Sequence, residues 1–401
     1  MKIAVVGAGA AGYFTALNIA EKNPKAKVTI YEKSDKVLSK VRISGGGRCN
    51  VTNGREKPSE LVNFYPRGQK KLFPVFQQFS TDHMRNWLSE KGVAVHEEAD
   101  HRVFPETNSS QTIIDCFVNE GYRLGIKLEK QTTIKHLIQR QNLWILDTDK
   151  GEIVSDKVVF TTGSSAAAFK VLTDLGLKKT ELVPSLFTFN IEDERLNDLP
   201  GISFQKAKIK VAKTKLEAEG PLLITHWGLS GPAVLKLSAY GAEVLSELGY
   251  SFDILINFTD GLLPQEALNQ LQDLKQNHGK RQVFNYPQFG IVKRYWERIA
   301  SLSGIGESQC FAELSNKQIN KLTEELTQGR FSVSGKSTFK EEFVTCGGIE
   351  LNEVDLTTFE CNRFPGLYLA GEVLNIDGLT GGFNFQACWS GGWLISESLK
   401  A

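Results

Sequence analysis

Six cysteines, Cys49, Cys116, Cys310, Cys346, Cys361 and Cys388, are scattered along the chain without a CxxC pair and without zinc-ligand spacing. That absence excludes a dithiol–disulfide reductase and a structural zinc site, and it fits reduced, mostly buried thiols of a cytosolic protein. No metal is expected. No apolar stretch reaches the roughly 18 residues that a membrane helix needs. The opening, MKIAVVGAG, lacks the charged, apolar and small-residue order of a signal peptide, so a cytoplasmic location is expected. An excess of one charge is missing too: 47 Lys and Arg offset 46 Asp and Glu. A dedicated nucleic-acid binder usually carries a strongly basic domain or stripe. The local group Arg67, Lys70 and Lys71 reads as a solvated face. The expected partner is therefore a small molecule, neither membrane nor nucleic acid, and the oligomeric state stays open.

At 401 residues the chain is long enough for two or three domains. Glycine placement says most about them. Residues 2–6, KIAVV, form a short apolar run of the buried-strand kind, followed by Gly7-Ala8-Gly9-Ala10-Ala11-Gly12. A helical pattern with Phe14, Leu17 and Ile19 then runs to a stop at Asn23-Pro24, and a second strand, Lys27 to Tyr31, ends at Glu32. Strand, glycines, helix, strand and acid in register describe a dinucleotide site. Gly7 permits the tight turn, Gly9 lets backbone approach a pyrophosphate, and Gly12 lets helix and strand pack closely. The helix start attracts phosphate, and Glu32 accepts from ribose hydroxyls. Ala10 and Ala11 within the turn and Lys33 beside the acid join this set. The acid favours an unphosphorylated ribose, hence FAD or NAD.

The far end of the chain separates these two. GLYLAGEVLNIDGLTGGFNFQACWSGGWLISESL opens on a strand, Leu367 to Ala370, which Gly371-Glu372 ends where open α/β sheets bind ligands. Gly381-Gly382 leads into a helix starting near Asn384, with Phe385, Cys388, Trp389 and Ile395 as apolar residues and Gln386 in its first turn. A nicotinamide cofactor has no need of this distant element. A flavin does, because reduction builds negative charge on one edge of its ring and a helix amino terminus stabilises that charge. Glu372 and Asp377 would hold ribityl hydroxyls or water. The alternative is an ordinary terminal helix whose Gly391-Gly392 pair permits close packing.

The segments SGGGRCNVTN, THWGLSGPAVL, CGGIELNEVD and GLYLAGEVLNIDGLTGGFNFQACWSGG, in this order, resemble the bacterial aminoacetone-oxidase-like or BaiN-like family of NAD(P)/FAD-dependent oxidoreductases. The resemblance covers essentially the whole chain. It implies an α/β fold: a glutathione-reductase-type, doubly wound FAD-binding domain with an inserted β-rich subdomain and a helical subdomain. It also implies that Ser44, Arg48, Cys49 and Asn50 lie along the flavin and that Thr133 and Ile134 give a backbone contact to adenine. A strand from Val158 to Thr162 running into Gly163 resembles the segment of glutathione-reductase-type flavoproteins that closes over the cofactor.

Gly45, Gly46 and Gly47 can offer consecutive N–H groups as an anion-binding concavity, with backbone at contact distance from the cofactor. Arg48 would offset phosphate charge or stabilise reduced flavin, against the alternative of a structural salt bridge. Cys49 reads as a packing residue, since no resolving cysteine is near it in sequence. From about Pro184 the pattern changes to alternating strands and then, over 263–335, to helical spacing. The expected division is 1–188 and 338–401 for the FAD-binding domain, 189–262 for a β-rich insertion and 263–337 for a helical one, the flavin pattern returning near Phe339. Within the insertion a strand is expected to end at His226, with a helix from Pro232 and Ser230 near its cap. His226 is the candidate acid or base, because an unperturbed imidazole titrates near pH 6.5; capping and turn roles are the alternative. No second GxGxxG occurs, so NAD(P)H would be a transient donor. The expected function is hydride transfer through FAD between NAD(P)H or a small organic donor and an unsaturated or carbonyl substrate or oxygen. The rivals are a flavin-binding sensor without turnover and a tRNA-modifying flavoenzyme.

Overall fold

The computed structural model describes residues 1–337 and 344–401. The expected return of the chain near Phe339 lies outside them. The described residues fall into two compact units, 1–183 with 344–401 and 184–337.

In the first unit the short apolar runs become the five parallel strands of a seven-stranded sheet, to which Glu360–Cys361 and Val354–Asp355 add antiparallel beyond Leu367–Leu369. β1 (Lys2–Val6) lies between β2 (Lys27–Tyr31) and the strand Lys157–Phe160, flanked in turn by Lys127–Glu129 and Leu367–Leu369. All four pairings are parallel. Numbered along the chain, the five strands stand in the order 3-2-1-4-5. This is the doubly wound arrangement, whose winding reverses beside β1 and leaves a crevice at the carboxyl ends of the strands. The α/β fold class expected from the sequence is the one observed.

α1 (Ala10–Lys22) follows β1 and is buried from Ala11 to Ala20. Against it packs the last helix, Phe383–Ser398. A Cβ on Gly392 would sit 2.6 Å from Thr15 Oγ1, so the glycine is what lets the two helices approach. Phe14 at the centre contacts the rings of Phe79, Trp87, Phe117 and Trp389 at centroid separations of 5.1–6.3 Å. The strands Ile134–Arg140, Leu143–Thr148 and Gly151–Ser155 form an antiparallel meander.

The second unit is a seven-stranded antiparallel sheet. Two of its strands, Gly329–Val333 and Gly335–Ser337, fall in the stretch expected to be helical. The reason is local: Arg330 and Ser332 are exposed while Phe331 and Val333 are buried, a period of two that the flanking Lys- and Glu-rich helix disguises. The helices Pro264–Asn277, Lys293–Leu302 and Asn316–Gln328 share one apolar core with the sheet, in which Leu271, Trp296 and Leu322 join Ile254 and Ile256.

Arg195 in this unit bonds Asp193 (2.6 Å) and Glu325 (2.7 Å) and lies over the Phe331 ring. Burial alone would raise both carboxyl pKa values, but the Arg195 hydrogen bonds and charge outweigh it at Asp193, and hydrogen bonds from Lys321 and Arg195 with their charges outweigh it at Glu325, so that both lie below the ordinary range. Depressed carboxyl pKa values stabilise the fold above the unfolded value of about 4, and this is lost as pH falls through the folded values. The melting temperature is therefore expected to fall steeply below pH 4, and Arg195→Ala should flatten that slope while lowering the curve at neutral pH. An unchanged acid limb in the variant would show that the triad does not set it. No helix of the described residues is long and apolar enough to cross a membrane.

Candidate cofactor site

β1 delivers the chain to Gly7 at the crevice edge. Gly7 adopts φ +103°, donates its N–H to Tyr31 O at 2.8 Å, and has Thr161 O 2.7 Å from where a Cβ would stand. Gly12 is tighter still, its Cβ position being 1.9 Å from Gly7 O. At Gly9 nothing among the described residues lies within 4 Å of that position, so bare backbone is open there. Gly9 is the N-cap of α1 and no side chain among the described residues caps the helix, which leaves first-turn N–H groups and a partial positive charge for an anion. Ala10 and Ala11 form this turn. A Cβ on Gly371 would lie 3.1 Å from the Cβ of Ala11, which places the fifth-strand loop against it.

Glu32 follows β2. It accepts from the Ala8 N–H at 2.8 Å, the Ser34 N–H at 2.9 Å and the Ser34 hydroxyl at 3.1 Å. A carboxylate offers about four acceptor positions, so capacity remains for a ribose hydroxyl. Lys33 reaches Ser165 Oγ at 3.4 Å, joining this end of β2 to the loop after Phe160. In that loop Thr161 Oγ1 bonds Val6 O at 2.9 Å, whereas Thr162 Oγ1 is buried with no hydrogen-bond partner among the described residues. An unsatisfied buried hydroxyl costs about 1–3 kcal/mol, and a ligand in the crevice would satisfy it. Gly163 is next to it, its Cβ position 3.6 Å from Glu372 Oε2. Glu372 in turn accepts from Lys40 at 2.5 Å and from the Thr345 N–H at 3.1 Å. Sequence reasoning missed Lys40, because only folding brings it to a residue 332 positions away.

The triple glycine is explained by dihedral angles more than by crowding. Gly45, Gly46 and Gly47 have φ of +58°, +68° and +83°, a run that costs L-residues roughly 1–2 kcal/mol each. Among the described residues, Phe104 and Asn50 crowd Gly45, while nothing lies within 4 Å of the Cβ positions of Gly46 and Gly47. The expected row of donors is shorter than the sequence suggests. Gly47 N–H goes to Ile43 O and Ser44 O, Arg48 N–H to Gly45 O, and Cys49 N–H to Ser44 O, so Gly45 and Gly46 are the donors left over among the described residues. Ser44 itself spends its hydroxyl on Val41 O. Asn50 is buried and accepts from the Val103 N–H at 3.3 Å. Arg48 is held by Glu98 at 2.7 Å and lies 3.8 Å over the Phe104 ring, the salt-bridge alternative of the sequence reading. Burial pushes the Cys49 thiol up to about 12, which keeps it protonated and a packing residue.

Two other expectations need correction. Both backbone groups of Thr133 are engaged by Asp149, its N–H by the carboxylate at 2.9 Å and its carbonyl by the Asp149 N–H, and Ile134 opens the meander strand. The residue whose N–H bonds Glu32 O is Thr132. Asp377 is fully buried and clamped by Arg67 through Nε–Oδ1 (2.5 Å) and Nη2–Oδ2. Arg67, 11% exposed, is thus no solvated residue.

That clamp belongs to a scaffold for the last helix. Gly382 is its N-cap at φ +88°, uncapped by any side chain among the described residues, with Thr52 O 2.3 Å from its Cβ position. Asn384 both accepts from the Gly378 N–H (2.8 Å) and donates to Gly378 O (2.9 Å). Tyr65 donates to Phe383 O at 2.6 Å, Gln386 accepts from Thr52 Oγ1 at 2.6 Å, and Phe385 stacks on Trp389.

In the second unit, His226 and Trp227 are the tip of a tight hairpin between Glu217–Thr225 and Gly228–Ser230. The strand ends at Thr225, and the helix Pro232–Tyr240 is capped by Gly231 at φ +98°, not by Ser230. His226 is exposed, Trp227 Nε1 bonds Thr188 Oγ1 at 3.0 Å, and Thr225 Oγ1 is buried without a partner among the described residues.

The model of the HI0933-like protein Rossmann domain matches residues 1–398. A ribosomal RNA dihydrouridine synthase of Escherichia coli strain K12 is 29% identical over 99% of this chain and 97% of its own length. A 3-dehydro-bile acid delta(4,6)-reductase of Clostridium scindens is 24% identical over 99% of this chain and 98% of its own. Among solved structures, the open conformation of a flavocytochrome c3 fumarate reductase matches with a TM-score of 0.51 at 14% identity, covering 99% of this chain and 78% of that one. A 3-ketosteroid delta1-dehydrogenase from Sterolibacterium denitrificans matches with a TM-score of 0.50 at 10% identity, covering 99% and 98%. At such identities the structural likeness bears on the fold, a Rossmann-type FAD-binding architecture.

Proposed function

The chain belongs to the HI0933-like Rossmann family of flavoproteins, and we propose that it is an FAD-dependent oxidoreductase that adds hydrogen across a carbon–carbon double bond conjugated with a carbonyl. Bound FAD would supply the hydride chemistry. For the chain's own part, the α1 amino terminus and Gly9 bind the pyrophosphate, Glu32 the ribose, and Thr162, Gly163 and Glu372 the polar chain that follows. The uncapped start of Phe383–Ser398 stabilises negative charge on the ring. The observation that carries this reading is the crevice itself. It combines an open backbone at Gly9, an uncapped α1 and the orphaned Thr162 hydroxyl at one sheet edge, all suited to a long polar dinucleotide.

The relatives named as a dihydrouridine synthase and a delta(4,6)-reductase share one chemistry in those names, hydrogenation of a ring double bond. The net reaction places a hydride on the carbon remote from the carbonyl and a proton on the adjacent one, with one NAD(P)H oxidised. We assign the proton to His226, whose imidazole stands exposed on the hairpin. Anaerobic mixing of the purified yellow protein with NADH or NADPH is expected to bleach it, and a cyclic enone should restore the colour. His226→Ala should keep its flavin and its bleaching rate but slow reoxidation by enone about 100-fold, the lower end for general acid catalysis. Unchanged reoxidation between pH 5 and 9 would return His226 to a turn residue. Failure of every nicotinamide and organic donor to bleach the flavin would favour a sensor.

A second reading is favoured by the whole-length match to the ribosomal RNA enzyme. Uracil contains a double bond conjugated with a carbonyl, so a uridine in RNA is a substrate of the same class. A gain of two mass units in a uridine of a ribosomal RNA fragment, after incubation with the protein and NADPH, is the direct test.

A further inference from the structure

The net charge of +1 conceals an uneven distribution. From residue 274 to 296 the sequence LKQNHGKRQVFNYPQFGIVKRYW contains Lys275, Lys280, Arg281, Lys293 and Arg294 and no Asp or Glu. The stretch leaves the helix Pro264–Asn277 and ends in the helix Lys293–Leu302. It is pinned to the unit's core. Val283 and Ile291 are buried, Trp296 Nε1 bonds Val283 O at 2.7 Å, and the Val283 N–H bonds Gln309 O at 3.0 Å. On this fixed base Lys280, Arg281, Lys293 and Arg294 are exposed, and Phe284, Tyr286 and Phe289 are half-buried. Arg281 lies 4.3 Å over the Tyr286 ring. Beside them a surface cavity of about 590 Å³ is lined by Phe284, Asn285 and Arg294, and also by Asp198, Glu297 and Glu307.

We infer that this surface docks single-stranded RNA. The inference rests on the second reading above and names the place where that substrate is held. Cations interleaved with aromatic rings track a phosphate backbone while bases stack on the rings, and such binding tolerates sequence. The cavity complements this division of labour. Its carboxylates repel phosphate but accept the amino and imino hydrogens of a base, so phosphates lie along the cationic rim and a base enters beside Phe284. A bilayer headgroup would use the cations but leave the rings and the carboxylates without a role.

The test is fluorescence anisotropy of a labelled single-stranded, uridine-rich 15-mer titrated with the intact flavoprotein at several salt concentrations. Wild type should bind with a steep salt dependence. Lys280→Gln/Arg281→Gln and Lys293→Gln/Arg294→Gln should each weaken binding and lower the salt slope by about 1.4, since each lost single-strand phosphate contact removes about 0.7. Phe284→Ala should weaken binding about tenfold with the slope intact, as for a lost stack. All variants should keep bound flavin and normal bleaching by NAD(P)H, which reports an undisturbed fold. Wild-type affinity and slope in the charge variants overturn the surface while leaving an RNA substrate possible elsewhere. No binding by wild type overturns both surface and RNA reading but leaves hydride transfer to small enones untouched. Retention on anionic phospholipid vesicles, sensitive to the same variants, with no RNA binding would replace RNA by a membrane.

Discussion

Arg67→Ala is expected to lower the unfolding free energy by about 3–5 kcal/mol, because it strands the Asp377 carboxylate, fully buried, without its bidentate partner. The backbone carries the effect onward. Leu379 N–H bonds Phe64 O at 2.9 Å, Gly378 is clasped by Asn384, and Tyr65 holds Phe383 O, so the segment 64–68 positions the start of the last helix. Flavin affinity should therefore fall with stability. The control is the double variant Arg67→Met/Asp377→Leu. Replacing both members of a buried ion pair by apolar groups is often near neutral, so it should recover most of the urea midpoint. Equal losses in single and double variants would show that Asp377 is not stranded, and that Arg67 matters through packing alone.

Gly12→Ala should have the other large effect, on cofactor more than on fold. The new methyl group would lie 1.9 Å from Gly7 O and 2.7 Å from Thr161 Oγ1, and the backbone oxygen belongs to the very turn that approaches the pyrophosphate. Turn or helix must shift by more than 1 Å, and overpacking of this kind typically costs 1–3 kcal/mol. We expect a folded, colourless protein with melting lowered by a few degrees. Gly9→Ala is the matched comparison: nothing among the described residues lies within 4 Å of its Cβ position, so stability should hold and only ligand approach should suffer. A yellow Gly12→Ala protein would refute the proposed path of the dinucleotide.

What could be read from the sequence follows the range of the interactions. The turn from Gly7 to Gly12, α1 and the acid at Glu32 are consecutive, and their spacing alone implies the geometry found. Arg67 and Asp377 are 310 positions apart, and nothing in YPRG or NIDG marks one as the partner of the other. Lys40 and Glu372 escape for the same reason. Thr133 differs: it stands near the cofactor strand in sequence, but Asp149 in the meander turn engages both its backbone groups, the N–H through its carboxylate and the carbonyl through its own N–H. At Gly45 to Gly47 the need for glycine was legible, while its cause proved to be a left-handed run that consumes one of the three donors it was expected to offer.

The fifth strand, Leu367–Leu369, and the helix that covers α1 come from the last part of the polypeptide, whereas the antiparallel unit is one continuous stretch. Domains tend to fold as units while the ribosome is still extending the chain. The amino-terminal half-sheet must then wait, with one edge bare, through translation of the whole intervening stretch. A nascent chain stalled before residue 367 would expose the Lys157–Phe160 edge to chaperones or to another copy of itself.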